Sequence, residues 1–125
     1  MGDQYRLFEA GPDPFGRIWK VQFRWQQTGT SIRHADTVDV KFLVTTEGDA
    51  AQEKVIALPH PALLELSRKS GRKLTDPMCM RIAALHVKHM IETSEDMDKN
   101  LVTVSPEELT AYDQQLHGET VTQRR

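Results

Sequence analysis

Two histidines, His86 and His89, are the residues of this sequence best placed to do chemistry. A spacing of three residues puts both imidazoles on one side of a helix. Such a pair binds a transition metal when a carboxylate or a third histidine completes the ligand set. The sequence has no His-Glu-x-x-His pattern, and its single cysteine, Cys79, is interpreted as a small buried apolar residue. We therefore predict no metal and no other cofactor. His86 and His89 are kept as weak metal candidates and interpreted as histidines that hydrogen-bond across a packing interface.

An acidic segment forms the second constellation. Residues 96–100 (D-M-D-K-N), together with Glu107, resemble the ligand spacing of an EF-hand calcium loop. Leu101 stands where the sharp turn of such a loop needs glycine, and Pro106 interrupts its end. We expect a solvated turn after a helix here, and no calcium site.

A serine, a histidine and an acid also lie close together at Ser31, His34 and Asp36. These are the side chains of a nucleophilic triad, but residues so close along one loop rarely reach triad geometry, and no G-x-S-x-G elbow is present. Turn formation is the interpretation that we prefer. Arg33 and His34 at this loop, with Arg17 before the first long strand, are predicted to contact an anion or a partner.

The scaffold for these residues begins with segment 18–27, in which large apolar side chains alternate with polar ones. Alternation with period 2 is typical of a strand with one buried face. The apolar set is Trp19, Val21, Phe23 and Trp25. Because aromatic side chains bury a large area each, we expect this face to be the floor of the core and both tryptophans to lie on it.

A second strand, 36–46, has the matching apolar set Val38, Val40, Phe42 and Val44. The two strands predict an antiparallel hairpin. A register that pairs Trp25 with Val38 gathers every apolar residue on one face and sets Arg24 opposite Asp39 on the other.

Residues 54–58 predict a third strand, and Tyr5 to Glu9 and Leu101 to Val104 could each join the sheet. Helices then follow in the sequence. One runs from His60 to about Ser70 and ends at Gly71. The next is capped by Thr75, has Pro77 in its first turn and runs to about Thr93. A third begins with a capping box formed by Ser105 and Glu108. The middle helix is apolar nearly all round, which predicts a central position or a subunit contact.

Composition is that of one ordinary globular domain: 125 residues, 38% hydrophobic, 27% charged, with a formal net charge of −2. The sequence gives no reason to expect nucleic acid or a membrane as a partner, and it lacks the apolar region of a signal peptide, so we expect a cytoplasmic location. Strands followed by helices indicate an α+β fold. The predicted single domain spans 1–117, with an arm or edge strand (1–16), a three- or four-stranded antiparallel meander (17–58) and two to three α-helices packed against it (60–117), before a flexible tail (118–125).

No catalytic set survives this weighing, so the leading hypothesis is a non-catalytic binding or interaction domain that self-associates. It depends on the apolar circumference of the middle helix, on Leu43, which points outward from its strand, and on the adaptable side chains of Met78, Met80 and Met90.

Two alternatives stay open. One is a small-ligand-binding protein or an enzyme, with or without a metal, whose pocket between sheet and helices is lined by Trp19, Trp25, His86 and His89. The other is nucleic-acid binding through the hairpin, with cations at Lys20, Arg24 and Lys41. It requires aromatic side chains that the helices leave uncovered.

Overall fold

The structure, a computed structural model, describes residues 5–29 and 37–123. Its elements in chain order are β1 (Leu7–Ala10), β2 (Trp19–Gly29), β3 (Thr37–Thr46), β4 (Gln52–Pro59), α1 (His60–Ser70), α2 (Asp76–Thr93), β5 (Leu101–Thr103) and α3 (Pro106–Gln123). The first four strands form an antiparallel meander, and β5 pairs with β4 in parallel at one edge. The predicted α+β architecture is confirmed, with a mixed sheet of five strands. The sequence analysis left undecided whether Tyr5 to Glu9 and Leu101 to Val104 join the sheet, and these segments contribute β1 and β5.

The predicted register between β2 and β3 is wrong. Phe23 lies opposite Phe42, and after a β-bulge between Phe23 and Trp25, Trp25 lies opposite Lys41. A bulge adds one residue to one strand, so the side chains beyond it change faces. Trp25 therefore points away from the face that holds Val38.

The predicted cross-strand pair of Arg24 with Asp39 is also wrong. Arg24 is the residue that the bulge leaves without a register partner, and Asp39 lies opposite Gln27. An alternating pattern fixes which residues share a face within an uninterrupted strand, but it does not reveal an inserted residue.

Helix α2 is the centre of the molecule. It packs against β1, β2, β3 and β4 on one side and against α3 on the other. Its buried apolar side chains are Cys79, Met80, Ile82, Ala83, Ala84, Leu85, Val87, Met90 and Ile91. A single chain thus buries the apolar circumference of this helix. Of the two positions predicted for it, central or at a subunit contact, the helix has the central one.

The helix ends follow the sequence signals. The Thr75 hydroxyl accepts a hydrogen bond from the Met78 amide at 3.3 Å, and Gly71 ends α1 in the left-handed conformation. The capping box of α3 is reciprocal, since the Ser105 amide donates to Glu108 Oε1 at 3.0 Å and the Glu108 amide donates to Ser105 Oγ at 3.1 Å. Helix α3 continues to Gln123, past the position at which the sequence analysis ended the domain.

Within the residues described, no helix combines the length and the apolar character that crossing a bilayer requires.

Candidate functional site: an open sheet face and a helix-capped cavity

The helices cover one face of the sheet, and no helix of residues 5–29 and 37–123 covers the other. We call this second face the open face. Four of its side chains stand side by side across β2, β3, β4 and β5 because the register aligns them: Trp25, Lys41, Val55 and Leu101. Trp25 is 36% exposed and Leu101 61% exposed. A neighbouring row contains Leu7, Gln22, Leu43 and Glu53.

Lys41 contacts two side chains of the neighbouring strands, Trp25 on β2 and Glu53 on β4. Its ammonium lies 5.3 Å from the centroid of the Trp25 ring and 3.0 Å from Glu53 Oε1. The Glu53 carboxylate offsets the charge of this ammonium, and the cation–π contact attracts it to the Trp25 ring. The aliphatic stem of Lys41 then lies along the sheet. The open face is therefore a partly apolar surface whose central cation is already partnered.

His86 and His89 lie on α2, and the structure gives them different roles. His86 is buried, and its Nδ1 lies 2.8 Å from the Tyr112 hydroxyl on α3. His89 is half-exposed, and its Nε2 lies 3.6 Å from Glu95 Oε2. Among the residues described, His86 Nε2 has no hydrogen-bond partner.

Burial keeps the His86 and Tyr112 pair neutral. It lowers the pKa of His86, and Glu108, whose Oε2 is 3.9 Å from Nδ1, opposes this only in part. Burial, with a further contribution from Glu108, raises the pKa of Tyr112 to about 12. A neutral imidazole bonded to a phenol can accept a proton, but catalysis needs a substrate within reach of the ring. His86 and Tyr112 thus form a buried polar link between α2 and α3. Half-exposed His89 is not part of this link.

No metal centre is formed by the described part of the chain, in which no three His, Cys, Asp or Glu side chains come together as a metal site requires. Cys79 is buried, and burial, with Asp76, raises the pKa of its thiol to about 11. A thiol in this state is a poor nucleophile.

A lysine occupies the turn that resembled a calcium loop. Lys54 points from β4 into the interior, and its ammonium donates to the carbonyl oxygens of Met97 at 2.5 Å and Lys99 at 2.7 Å. Main-chain carbonyls of this kind are also calcium ligands. The turn thus receives its positive charge from the protein itself, a role that the sequence analysis missed.

Arg17, in the loop between β1 and β2, and Trp19, the first residue of β2, share one carboxylate. The buried carboxylate of Asp13 accepts hydrogen bonds from Arg17 Nε at 2.9 Å and from Trp19 Nε1 at 3.0 Å. Arg17 also reaches Asp49 Oδ2 at 2.7 Å, so two carboxylates of the same chain engage its guanidinium. Burial alone would raise the pKa of Asp13, but the hydrogen bonds from Trp19 and Arg17 lower it to about 2.

The residues predicted to line one pocket lie in three places: Trp19 beneath the N-terminal loop, Trp25 on the open face, and His86 with His89 near α3. Arg33 and His34 lie outside the residues that the structure describes, as do Ser31 and Asp36, the other two members of the loop triad.

A cavity of about 290 Å³ nevertheless exists between sheet and helices, where β1 meets α2 and α3. Its lining residues are Tyr5, Phe8, Glu9, Ala84, Leu85, Lys88 and Gln115. The sequence pattern gave no signal for it, because the lining comes from segments far apart in the chain.

Comparison with known proteins adds no assignment: no protein-family model, curated protein or solved structure matches the chain.

Proposed function

We propose that this chain is a non-catalytic interaction domain that forms a homodimer by packing the open faces of two copies together. The observation that carries the proposal is the row of Trp25, Lys41, Val55 and Leu101, which leaves a partly exposed indole, a half-buried valine and an exposed leucine on the open face. Exposed apolar patches of this kind are typical of interaction surfaces, and tryptophan is enriched at the centres of interfaces.

The charges of the open face favour a second copy as the occupant. By strand alternation the face carries the acids Glu9, Asp39 and Glu53 and the bases Lys20 and Lys41. A two-fold interface brings the same patch of each chain together, so the patch must not repel itself. Mixed charges that nearly cancel meet this requirement, whereas a polyanion needs an excess of positive charge.

The size of the face fits a dimer of moderate strength. Five strands about 4.8 Å apart, with the eight residues of β4 at about 3.3 Å each, give roughly 600 Å² in projection. Standard interfaces bury about 800 Å² on each partner. Two twisted sheets pack face to face with their strands about 30° apart. We expect dissociation in the micromolar range.

Sedimentation equilibrium across the micromolar range tests this proposal. Leu101→Glu places a charge on the open face at a position that is already 61% exposed, so the fold should tolerate it. We expect this variant to weaken the dimer at least tenfold. The matched control is Leu64→Glu on α1, where Leu64 is 52% exposed away from the sheet, and it should dimerise as the unmodified chain does.

A monomer at every concentration would overturn the proposal, and so would equal effects of the two substitutions. Nucleic-acid binding, the alternative use of this face, is examined by gel shift with random single-stranded RNA and DNA at low salt. A shift that disappears in Trp25→Thr would assign the face to nucleic acid instead.

A further inference from the structure

Strand β1 is one edge of the sheet, and within the described residues only β2 pairs with it. The Phe23 amide of β2 donates to the Arg6 carbonyl oxygen at 2.7 Å. Hydrogen-bonded pairs recur at every second residue of an antiparallel ladder. The main chain of Phe8 therefore bonds to β2, whereas the N–H and C=O groups of Leu7 and Glu9 point outward from the edge.

The cavity of about 290 Å³ borders this edge. Glu9 is among its lining residues although the Glu9 side chain alternates onto the open face, so its main chain forms this part of the wall. Phe8 of β1, with Ala84 and Leu85 of α2, supplies an apolar floor. A ligand here meets apolar side chains on one flank and outward-pointing peptide groups on the other. The small-ligand alternative predicted a pocket between sheet and helices, but with other lining residues.

Lys88 is the cation of the cavity. It is half-buried on α2, one turn after Ala84, so both residues lie on the side of the helix that lines the cavity. Within the described residues the Lys88 ammonium forms no ion pair and no side-chain hydrogen bond. An apolar floor beside such a cation favours a ligand that carries both an apolar group and an anion.

We propose that the edge of β1 binds an extended acidic peptide segment of another protein, which joins the sheet as a further antiparallel strand. The outward peptide groups of Leu7 and Glu9 bond to the main chain of the segment. One apolar side chain of the segment enters the cavity. Because side chains two residues apart share a face of a strand, an aspartate or glutamate two residues from the apolar one pairs with Lys88.

The cavity size agrees with one side chain of this kind. About 290 Å³ corresponds to roughly ten water molecules at about 30 Å³ each, which is room for a leucine or phenylalanine side chain. A free apolar acid could fill the cavity and meet Lys88, but it would leave the outward N–H and C=O groups of β1 without partners. The main chain of a strand supplies both donors and acceptors at the spacing that these groups require.

Charge makes a second copy of β1 the poorer occupant. By strand alternation the residues of β1 and its lead-in that share the cavity side of the sheet are Arg6, Phe8 and Ala10. A second β1 would bring this arginine, and no carboxylate, to the side on which Lys88 lies. The site uses the edge of the sheet and not its open face, so the inference does not rest on the proposed homodimer.

The test is a titration of the full chain with the blocked peptide acetyl-E-T-L-T-E-amide, followed by two-dimensional amide NMR. Its leucine has a glutamate two residues away in each direction, so one glutamate can meet Lys88 on either side. We expect amide signals of Phe8, Leu85 and Lys88 to shift, with a dissociation constant between micromolar and millimolar. At saturating peptide, hydrogen exchange at the Leu7 and Glu9 amides should slow at least tenfold, because these donors gain partners.

Two modified peptides separate the main-chain and charge contributions. In antiparallel pairing the two threonine amides face the carbonyl oxygens of Leu7 and Glu9, so N-methylation of both threonines should weaken binding at least tenfold. Acetyl-Q-T-L-T-Q-amide is neutral and of the same shape, and it should bind at least threefold more weakly than the acidic peptide. Lys88→Met should bind these two peptides equally. Lys73→Met, which removes a cation from the exposed loop after α1, is the matched control and should keep the preference.

The proposal would be overturned by the absence of any shift at millimolar peptide, or by an equal response of Lys88→Met and Lys73→Met. Undiminished binding of the N-methylated peptide, or equal binding of 4-methylpentanoate, would show that the cavity holds an apolar group without strand addition. Protection of the Leu7 and Glu9 amides that rises with protein concentration, in the absence of peptide, would assign the edge to a second copy instead. Each titration is repeated in Leu101→Glu, which keeps the result independent of dimer formation through the open face.

Discussion

Replacement of Lys54 by methionine is the perturbation that best tests how the turn after α2 is held. Lys54 is 1% exposed, and its ammonium donates to the carbonyl oxygens of Met97 and Lys99 at 2.5 and 2.7 Å. Methionine retains an unbranched apolar stem of similar length and removes the charge and both donors. The turn is further tied to the sheet by the Val55 amide, which donates to the Asn100 carbonyl at 2.8 Å.

The expected loss follows from two opposing contributions. Each hydrogen bond from a charged donor contributes about 1.5–3 kcal/mol, so the pair contributes roughly 3–6 kcal/mol. Burial of the ammonium, which lowers the pKa of Lys54 and is opposed by Asp98, offsets part of this. We expect Lys54→Met to lower the free energy of unfolding by about 2–3 kcal/mol.

Urea unfolding followed by circular dichroism measures this loss. Lys41→Met is the matched control, because the Lys41 pair with Glu53 is more exposed and should contribute about 0–1 kcal/mol. Hydrogen exchange should in addition become faster at the Val55 and Lys99 amides in Lys54→Met. Unchanged or higher stability, with normal exchange at these amides, would show that desolvation outweighs both hydrogen bonds and would refute the reasoning.

Two further perturbations address the buried polar groups. Because the pKa of Asp13 falls from 3.8 to about 2 on folding, its contribution to stability is complete above the unfolded value and is lost as the pH drops through the folded one. Asp13→Asn should therefore lose less stability than the unmodified chain between these two pH values, and at neutral pH it should unfold at a lower urea concentration, as followed by tryptophan fluorescence. Identical acid profiles of the two proteins would contradict this assignment. Tyr112→Phe removes the hydrogen-bond partner of His86 Nδ1 and should cost about 1–3 kcal/mol by urea unfolding. Since burial lowers the pKa of His86, stability should also fall on acidification below 6.5, the ordinary pKa of histidine, and a flat profile there in the unmodified chain would argue against a neutral buried imidazole.

Local signals in the sequence predicted the helix ends and the class of fold. The caps at Thr75 and Ser105 depend on hydrogen bonds within one turn of the chain, so the residues that make them are neighbours in sequence. The same holds for Gly71, whose conformation alone ends α1. These features need no knowledge of the distant packing.

The features that the sequence did not predict depend on how separate segments of the chain pair and pack. The bulge before Trp25 shifts the register, yet the sequence alternates apolar and polar residues through this position as it would in a regular strand. The inward direction of Lys54 was available from its alternation with Ile56 and Leu58, but the carbonyl oxygens that make its burial tolerable come from a turn more than 40 residues later. The cavity likewise combines β1, α2 and α3, which no local pattern connects.

The bulge also decides which surface remains for self-association. The sequence hypothesis drew on the apolar circumference of α2, but α2 is buried among the sheet and α3 in a single chain. An uninterrupted β2 would have directed Trp25 into the same core and left the opposite face mainly polar. With one inserted residue, an indole joins Lys41, Val55 and Leu101 on the open face, which no helix of the described residues covers. Exposing this aromatic side chain forgoes part of the hydrophobic stabilisation of the monomer, and a second copy packed on the open face would recover it.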